Sequence, residues 1–174
     1  MEHRLLSLLE AIAKFPAHTE RRSICYPEQT TKPMGFALGL VFAMGQGILM
    51  PSRFNLKFPE LHEACRMLIA ERQPGFSYNC IQINKNQRCA PHKDSNNDGM
   101  SFIIGLGEYT GGELVVNDVP IKIHNRFVQF DGHQTHYTKP FAGTRYSIIF
   151  FTVKPRWLKH WIRMMSIKKT LFKL

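Results

Sequence analysis

From residue 76 to residue 153 the chain is cut into short β-prone runs by turn residues, and that rhythm limits it to a small set of folds. The runs 101–106, 113–116, 119–123, 127–130 and 145–153 read as strands, divided by Gly111-Gly112, Asn117-Asp118 and Asp131-Gly132. Asn117-Asp118 occupies the place of a tight hairpin turn. Residues 78–84 alternate: Asn79, Ile81 and Ile83 share one face, and Tyr78, Cys80, Gln82 and Asn84 share the other. Such a succession of short strands fits an all-β barrel or jelly roll.

Two helical patterns come first. Leu5, Leu8, Leu9 and Ile12 recur at helical spacing over residues 4–14, and Pro16 ends the pattern. Pro59 opens a second helix in which Leu61, Ala64, Cys65, Leu68 and Ile69 form one apolar stripe, stopped by Gln73-Pro74-Gly75. Between them, Pro33 to Pro51 is the longest uncharged run. It is too short and too rich in glycine for a membrane span and reads as one or two buried strands, the first over 35–42. The expected fold class is mainly β with packed helices (α+β). A single domain of 174 residues would comprise helical support over 1–75, a strand-built core over 76–153 and a basic amphipathic tail over 154–174.

Charge is concentrated in that tail. Lys and Arg total 23 against 13 acids, a formal +10; seven cations and no acid lie from Lys154 onward, which leaves 10 − 7 = +3 for the body. Trp157, Leu158, Trp161, Ile162 and Met165 fall on one helical face, with Arg156, Lys159, His160 and Arg163 on the other. A helix of this kind docks on the body, lies on a membrane surface, or offers its cations to nucleic-acid phosphates. No signal-peptide pattern opens the chain, so an intracellular setting, cytoplasmic or nuclear, is expected. The four cysteines are widely spaced without a C-x-x-C pair, which argues against a disulfide framework and a structural zinc site.

The chemistry lies in a few polar residues of the strand-rich half. His92 and Asp94, two apart in an extended segment, face the same way. His136 can meet them from another strand, and two imidazoles with one carboxylate make the facial triad that holds non-haem Fe(II). His133 is the alternative third ligand; His136 is preferred because His133 falls in the Asp131-Gly132 turn. Arg145 and Ser147, two apart on the last strand, are suited to clamp a carboxylate by a forked ion pair and a hydroxyl. Asp94 to Gly99 also starts a calcium-loop pattern, but Gly105 stands where the closing glutamate belongs. A kinase-like reading of His92-Lys93-Asp94 fails because Gly99 replaces the required asparagine. His62 and Lys93 read as surface residues, His124 as structural, and Tyr109 as a turn residue in preference to a stacking platform.

H-x-D, a distal histidine and R-x-S, in this order, resemble the Fe(II)/2-oxoglutarate-dependent dioxygenases, whose fold is a double-stranded β-helix (a jelly roll). The stretch from His92 through Asp94 to Asn97 is further similar to the H-x-D-x-x-N of the TET/JBP-like subgroup, which oxidises pyrimidine methyl groups in nucleic acid. The glycine turn and strand over 107–114 also belong to the resemblance, which covers about residues 76–153. It implies Fe(II) on His92, Asp94 and His136, and the distal carboxylate of 2-oxoglutarate on Arg145 assisted by Ser147. O₂ would be the second co-substrate and ascorbate a supporting reductant. Gln82 and Asn84 then stand either as co-substrate contacts or as plain polar residues of a barrel face. Asn96 and Asn97, in the loop beside the metal, are placed to touch substrate. The implied substrate is the methyl group of thymine or 5-methylcytosine, with nucleic acid gripped by the basic tail. Two other functions stay open: a hydroxylase of a protein side chain or small metabolite, and a catalytically inactive jelly-roll module that binds nucleic acid or membrane.

Overall fold

A computed structural model describes residues 1–17, 24–26, 33–42 and 48–154. The amphipathic helix expected over 157–165 lies outside the described residues. In chain order the elements are α1 (Glu2–Glu10), β1 (Met34–Phe42), β2 (Leu49–Pro51), α2 (Phe54–Lys57) and α3 (Pro59–Arg72). There follow β3 (Cys80–Lys85), β4 (Asn97–Leu106), β5 (Tyr109–Gly111), β6 (Leu114–Val116), β7 (Val119–Ile121) and β8 (Val128–Phe130). The last are β9 (His136–Thr138), β10 (Phe141–Gly143) and β11 (Tyr146–Val153). A six-stranded sheet has the order β2-β1-β3-β11-β4-β8, a three-stranded sheet the order β7-β6-β9, and β10 pairs with β5. Every one of these strand pairings is antiparallel. Single antiparallel bridges, His92 to His136 and Cys25 to Cys89, carry the smaller sheet two rungs beyond β9.

Side-chain alternation decides which way the large sheet faces. Phe36 and Leu38 of β1, Ile81 and Ile83 of β3, Ile148 and Phe150 of β11, and Ile104 and Leu106 of β4 form one core with the helices. Leu5 and Leu9 of α1 and Leu61, Ala64, Cys65, Leu68 and Ile69 of α3 meet them. The intervening residues Gln82, Asn84, Ile103, Ser147, Ile149 and Phe151 face a cavity instead. A strand with period two therefore buries hydrocarbon on one side and delivers polar groups on the other. A second apolar cluster, Ile103, Leu114, Ile123 and Phe130, fills the space beside that cavity.

Several expectations take their final shape here. The hairpin forms between β6 and β7, with Asn117 at φ 47° and Asp118 at φ 64°, the two left-handed residues a tight hairpin turn requires. The uncharged run of residues 33–51 supplies two paired strands, β1 and β2. The first helix ends at Glu10, short of the expected residue 14. Phe15, just before Pro16, turns inward to pack on Phe36 and Tyr146, with ring centroids 5.4 and 5.9 Å away, and a continued helix would forbid that turn. The strand expected from Ser101 already begins at Asn97. Tyr78 departs from its expected face and packs edge-on against Phe150 on the helix side, because the strand starts only at Cys80. Among the described residues no helix is long and apolar enough to cross a membrane.

The helix-to-sheet core should dominate stability. Leu68 is fully buried and Leu56 is 90% exposed. Leu68→Ala is expected to cost about 2–5 kcal/mol in urea unfolding, whereas Leu56→Ala should stay within about 0.5 kcal/mol of the parent.

Candidate metal centre

His92 and His136 face each other across a main-chain bridge in which each donates its N–H to the other's carbonyl, at 3.1 and 3.0 Å. Their imidazoles lie on the same side, ring centroids 4.2 Å apart. Each ring is fixed by its Nδ1: that of His92 lies 2.7 Å from the Ala90 carbonyl and that of His136 2.9 Å from the Gln134 carbonyl. A carbonyl can only accept, so Nδ1 carries the proton and Nε2 is the nitrogen left to ligate a metal. Asp94 completes the set, its carboxylate oxygens 3.9 Å from His92 Nε2 and 3.8 Å from His136 Nε2. These separations are too long for hydrogen bonds. Ligands each about 2 Å from one ion stand about 3–4 Å apart, so the three atoms frame a space of the right size. All the candidate ligand atoms lie within 4.8 Å of one another.

Asp94 is held from two sides. Its N–H donates to the Gly132 carbonyl at 2.8 Å, and Asn97 Nδ2 donates to its Oδ2 at 3.3 Å. Asn97 therefore sits on the carboxylate, while Asn96 is exposed on a separate cleft that Asp94 and Phe151 also line. His133 is drawn away from the group by Asp131, whose Oδ1 lies 3.0 Å from its Nδ1, and it takes no part in the cluster. His124 bonds the Gly107 carbonyl at 2.9 Å, a structural contact.

The cavity that holds the two histidines and Asp94 also contains Gln82, Asn84, Arg145 and Ser147. Gln82 Nε2 donates to Asn84 Oδ1 at 3.0 Å, and Asn84 Nδ2 donates to Ser147 Oγ at 3.2 Å. The register explains this chain: Asn84 stands opposite both Gly35 and Ser147. A Cβ at Gly35 would come within 3.0 Å of Asn84 Oδ1, so glycine leaves the amides room. Ser147 accepts from Asn84 and retains its own proton for a ligand.

Arg145 is 2% exposed, and no carboxylate among the described residues pairs with it. Among the described residues its side-chain hydrogen bond is a long contact from Nη1 to the Gln87 main-chain carbonyl at 3.5 Å, and its buried Nε meets no acceptor. The guanidinium lies between Tyr109 and Phe141, 5.7 and 5.4 Å from their ring centroids. Burial pulls its pKa below the usual value, opposed by its electrostatic contact with Tyr109 and Cys89. Gly112 lets the side chain through, since a Cβ there would stand 3.0 Å from Arg145 Cδ and Nε. A buried cation with unspent donors suits an anionic ligand. Tyr109, read from sequence as a turn residue, is instead buried in β5, its hydroxyl near the guanidinium without a directed hydrogen bond. Gln87 carries no sequence signal beyond its place two residues past the β3 end, yet its Oε1 is buried and has no partner among the described residues.

The arrangement is that of the jelly-roll fold found in 2OG-Fe(II) oxygenases. No family model matches the chain and no curated protein matches it in sequence. Among solved structures it is similar to NgTET1 in complex with 5mC DNA, with a TM-score of 0.57 and 11% identity over 88% of this chain and 66% of that one. It is also similar to an oxidoreductase of the 2OG-Fe(II) oxygenase family from Burkholderia pseudomallei, with a TM-score of 0.52 and 17% identity over 86% of this chain and 77% of that one. The chain thus spans just under two thirds of the NgTET1 chain, and at these identities the likeness establishes the fold.

Because Asn97 orients Asp94, Asn97→Ala should lower the affinity for Mn(II) or Fe(II) about tenfold, while Asp94→Ala should abolish binding. Titration followed by Mn(II) electron paramagnetic resonance reads both; equal affinity in Asn97→Ala and the parent would refute the orienting role.

Proposed function

We propose that this chain is an Fe(II)- and 2-oxoglutarate-dependent oxygenase that oxidises a C–H bond, with the methyl group of thymine or 5-methylcytosine in nucleic acid as its substrate. The observation that carries the reading is one cavity with three side chains able to hold a metal and a buried guanidinium that has no anion beside it among the described residues. His92, Asp94 and His136 would hold the iron and leave positions open on it. Iron held there together with 2-oxoglutarate would supply the oxidising power for the C–H bond, at the expense of O₂ and of the co-substrate, which would leave as succinate. Arg145 would take the far carboxylate of 2-oxoglutarate, and Ser147, fixed by Asn84 and Gln82, would donate a second hydrogen bond. Ile103, Leu114, Phe130, Ile149 and Phe151 line the same space and keep water from the reacting atoms.

The nucleic-acid part draws on the fold shared with NgTET1, which is bound to 5mC DNA in its own structure, and on the seven cations from Lys154 onward. A duplex substrate would have to present its base flipped out of the stack. Hydroxylation of a protein side chain or small metabolite would use the same metal and co-substrate groups, and the substrate test below separates it.

With Fe(II), ascorbate and 2-oxoglutarate, the chain should release succinate and convert thymine- or 5-methylcytosine-containing oligonucleotides to products heavier by oxygen, read by mass spectrometry. No succinate above a His92→Ala control, with iron occupancy verified and candidate substrates present, would remove the oxygenase; succinate without modified bases would remove only the nucleic-acid substrate. Arg145→Ala should weaken 2-oxoglutarate binding by about 10–100-fold in calorimetry and leave metal affinity nearly unchanged. Equal loss of both would make the arginine structural.

A further inference from the structure

The smaller sheet ends in a rung that the metal group does not need. Cys25 stands opposite Cys89 in an antiparallel bridge, and the Ala90 N–H donates to the Ile24 carbonyl at 2.7 Å. A hydrogen bond between their flanking residues makes the two cysteines the pair that exchanges no main-chain bonds. In antiparallel sheets this is the close pair, with Cα atoms about 4.5 Å apart, inside the roughly 4.4–6.8 Å that a disulfide spans. Their side chains point to one side, and since Cys89 lines the cavity, that side is the cavity wall. One residue along, the Arg88 guanidinium lies 3.9 Å from the Tyr26 ring centroid, which fixes the same register independently of the sulfurs. Both cysteines are partly exposed, within reach of a small oxidant, and no disulfide joins them here. Cys89 Sγ accepts from Gln87 Nε2 at 3.3 Å, and the Gln87 carbonyl is the acceptor of Arg145 Nη1.

We propose that Cys25 and Cys89 are an oxidation site: a peroxide converts them to a disulfide in the cavity wall, which weakens binding of the dicarboxylate beside Arg145. The second half rests on the co-substrate reading above. In the reaction a thiolate takes the near oxygen of the peroxide, the O–O bond breaks, and a sulfenic acid and water form. The second thiol then displaces hydroxide from the sulfenic sulfur, which with a proton leaves as water. In sum, two thiols and one hydrogen peroxide give one disulfide and two waters, with the dithiol oxidised by two electrons and the peroxide reduced. Bonding to Cys25 draws Cys89 Sγ away from the Gln87 amide that donates to it and pins the 24–26 segment against the wall. Gln87 can then no longer hold its carbonyl steady for Arg145.

The test uses the full chain, stripped of metal by a chelator and treated with hydrogen peroxide, then alkylated and digested without reductant. A Cys25–Cys89 linked peptide is expected, with intact mass lower by two hydrogens, reversed by dithiothreitol and absent in Cys25→Ser and Cys25→Ala. After reloading with Mn(II), oxidised parent protein should bind 2-oxoglutarate about tenfold more weakly than reduced protein, the effect of one lost hydrogen bond, with no difference in the Cys25 variants. Absence of the linked peptide overturns the proposal, as does a linked protein with unchanged affinity. A reduced protein that fails to bind 2-oxoglutarate would overturn the co-substrate reading instead, while the peptide map still reports whether the pair closes.

Discussion

The guanidinium of Arg145 is a buried charge with no anion beside it among the described residues, and much of the surrounding structure is arranged to permit it. Desolvating a cation without a partner costs several kcal/mol, so it persists only where neighbours compensate. Asn86 Oδ1 fixes its backbone at 2.8 Å, Gly112 makes way for its stem, and two aromatic rings offer their faces to its charge. These contacts soften the cost and leave directed donors unspent. A stability-driven sequence would place an aliphatic residue there.

The polar equipment comes from the inner face of the sheet whose outer face makes the core. Gln82, Asn84 and Ser147 alternate with Ile81, Ile83 and Ile148, so a one-residue register slip would bury the amides under the helices and turn isoleucines into the cavity. Register, hydrophobic stability and site geometry are therefore one constraint. The histidines of the candidate metal centre obey a different one: His136 lies on the smaller sheet and His92 on its bridge, Asp94 follows just beyond, tied to the Gly132 carbonyl, and Phe130 packs close by, its ring 5.4 Å from that of His136.

Legibility in the sequence followed periodicity and turn chemistry. The apolar stripe of α3, the left-handed pair Asn117-Asp118 and the His92, Asp94, His136 cluster could all be read because each depends on spacing along the chain or on a short motif. Tyr109 could not. Its burial depends on β10 folding back to pair with β5, a contact between segments about thirty residues apart that no local pattern announces. Gln87 was equally silent, because a loop residue acquires meaning only from the carbonyl and amide it happens to place beside Arg145 and Cys89. Leu5 and Leu9 were visible as a helix, but where it stopped was decided by Phe15 finding Phe36 and Tyr146.

The reciprocal backbone bonds between His92 and His136 make the two imidazoles a single mechanical part. Their backbones are held apart by the cross-strand spacing of a β-ladder and their rings by the Ala90 and Gln134 carbonyls, so the pair is in place without an ion. Whatever pries that outer rung from β9, whether heat, denaturant or a bulky neighbour, parts the two imidazoles at once, so their spacing is a gauge of the integrity of the smaller sheet.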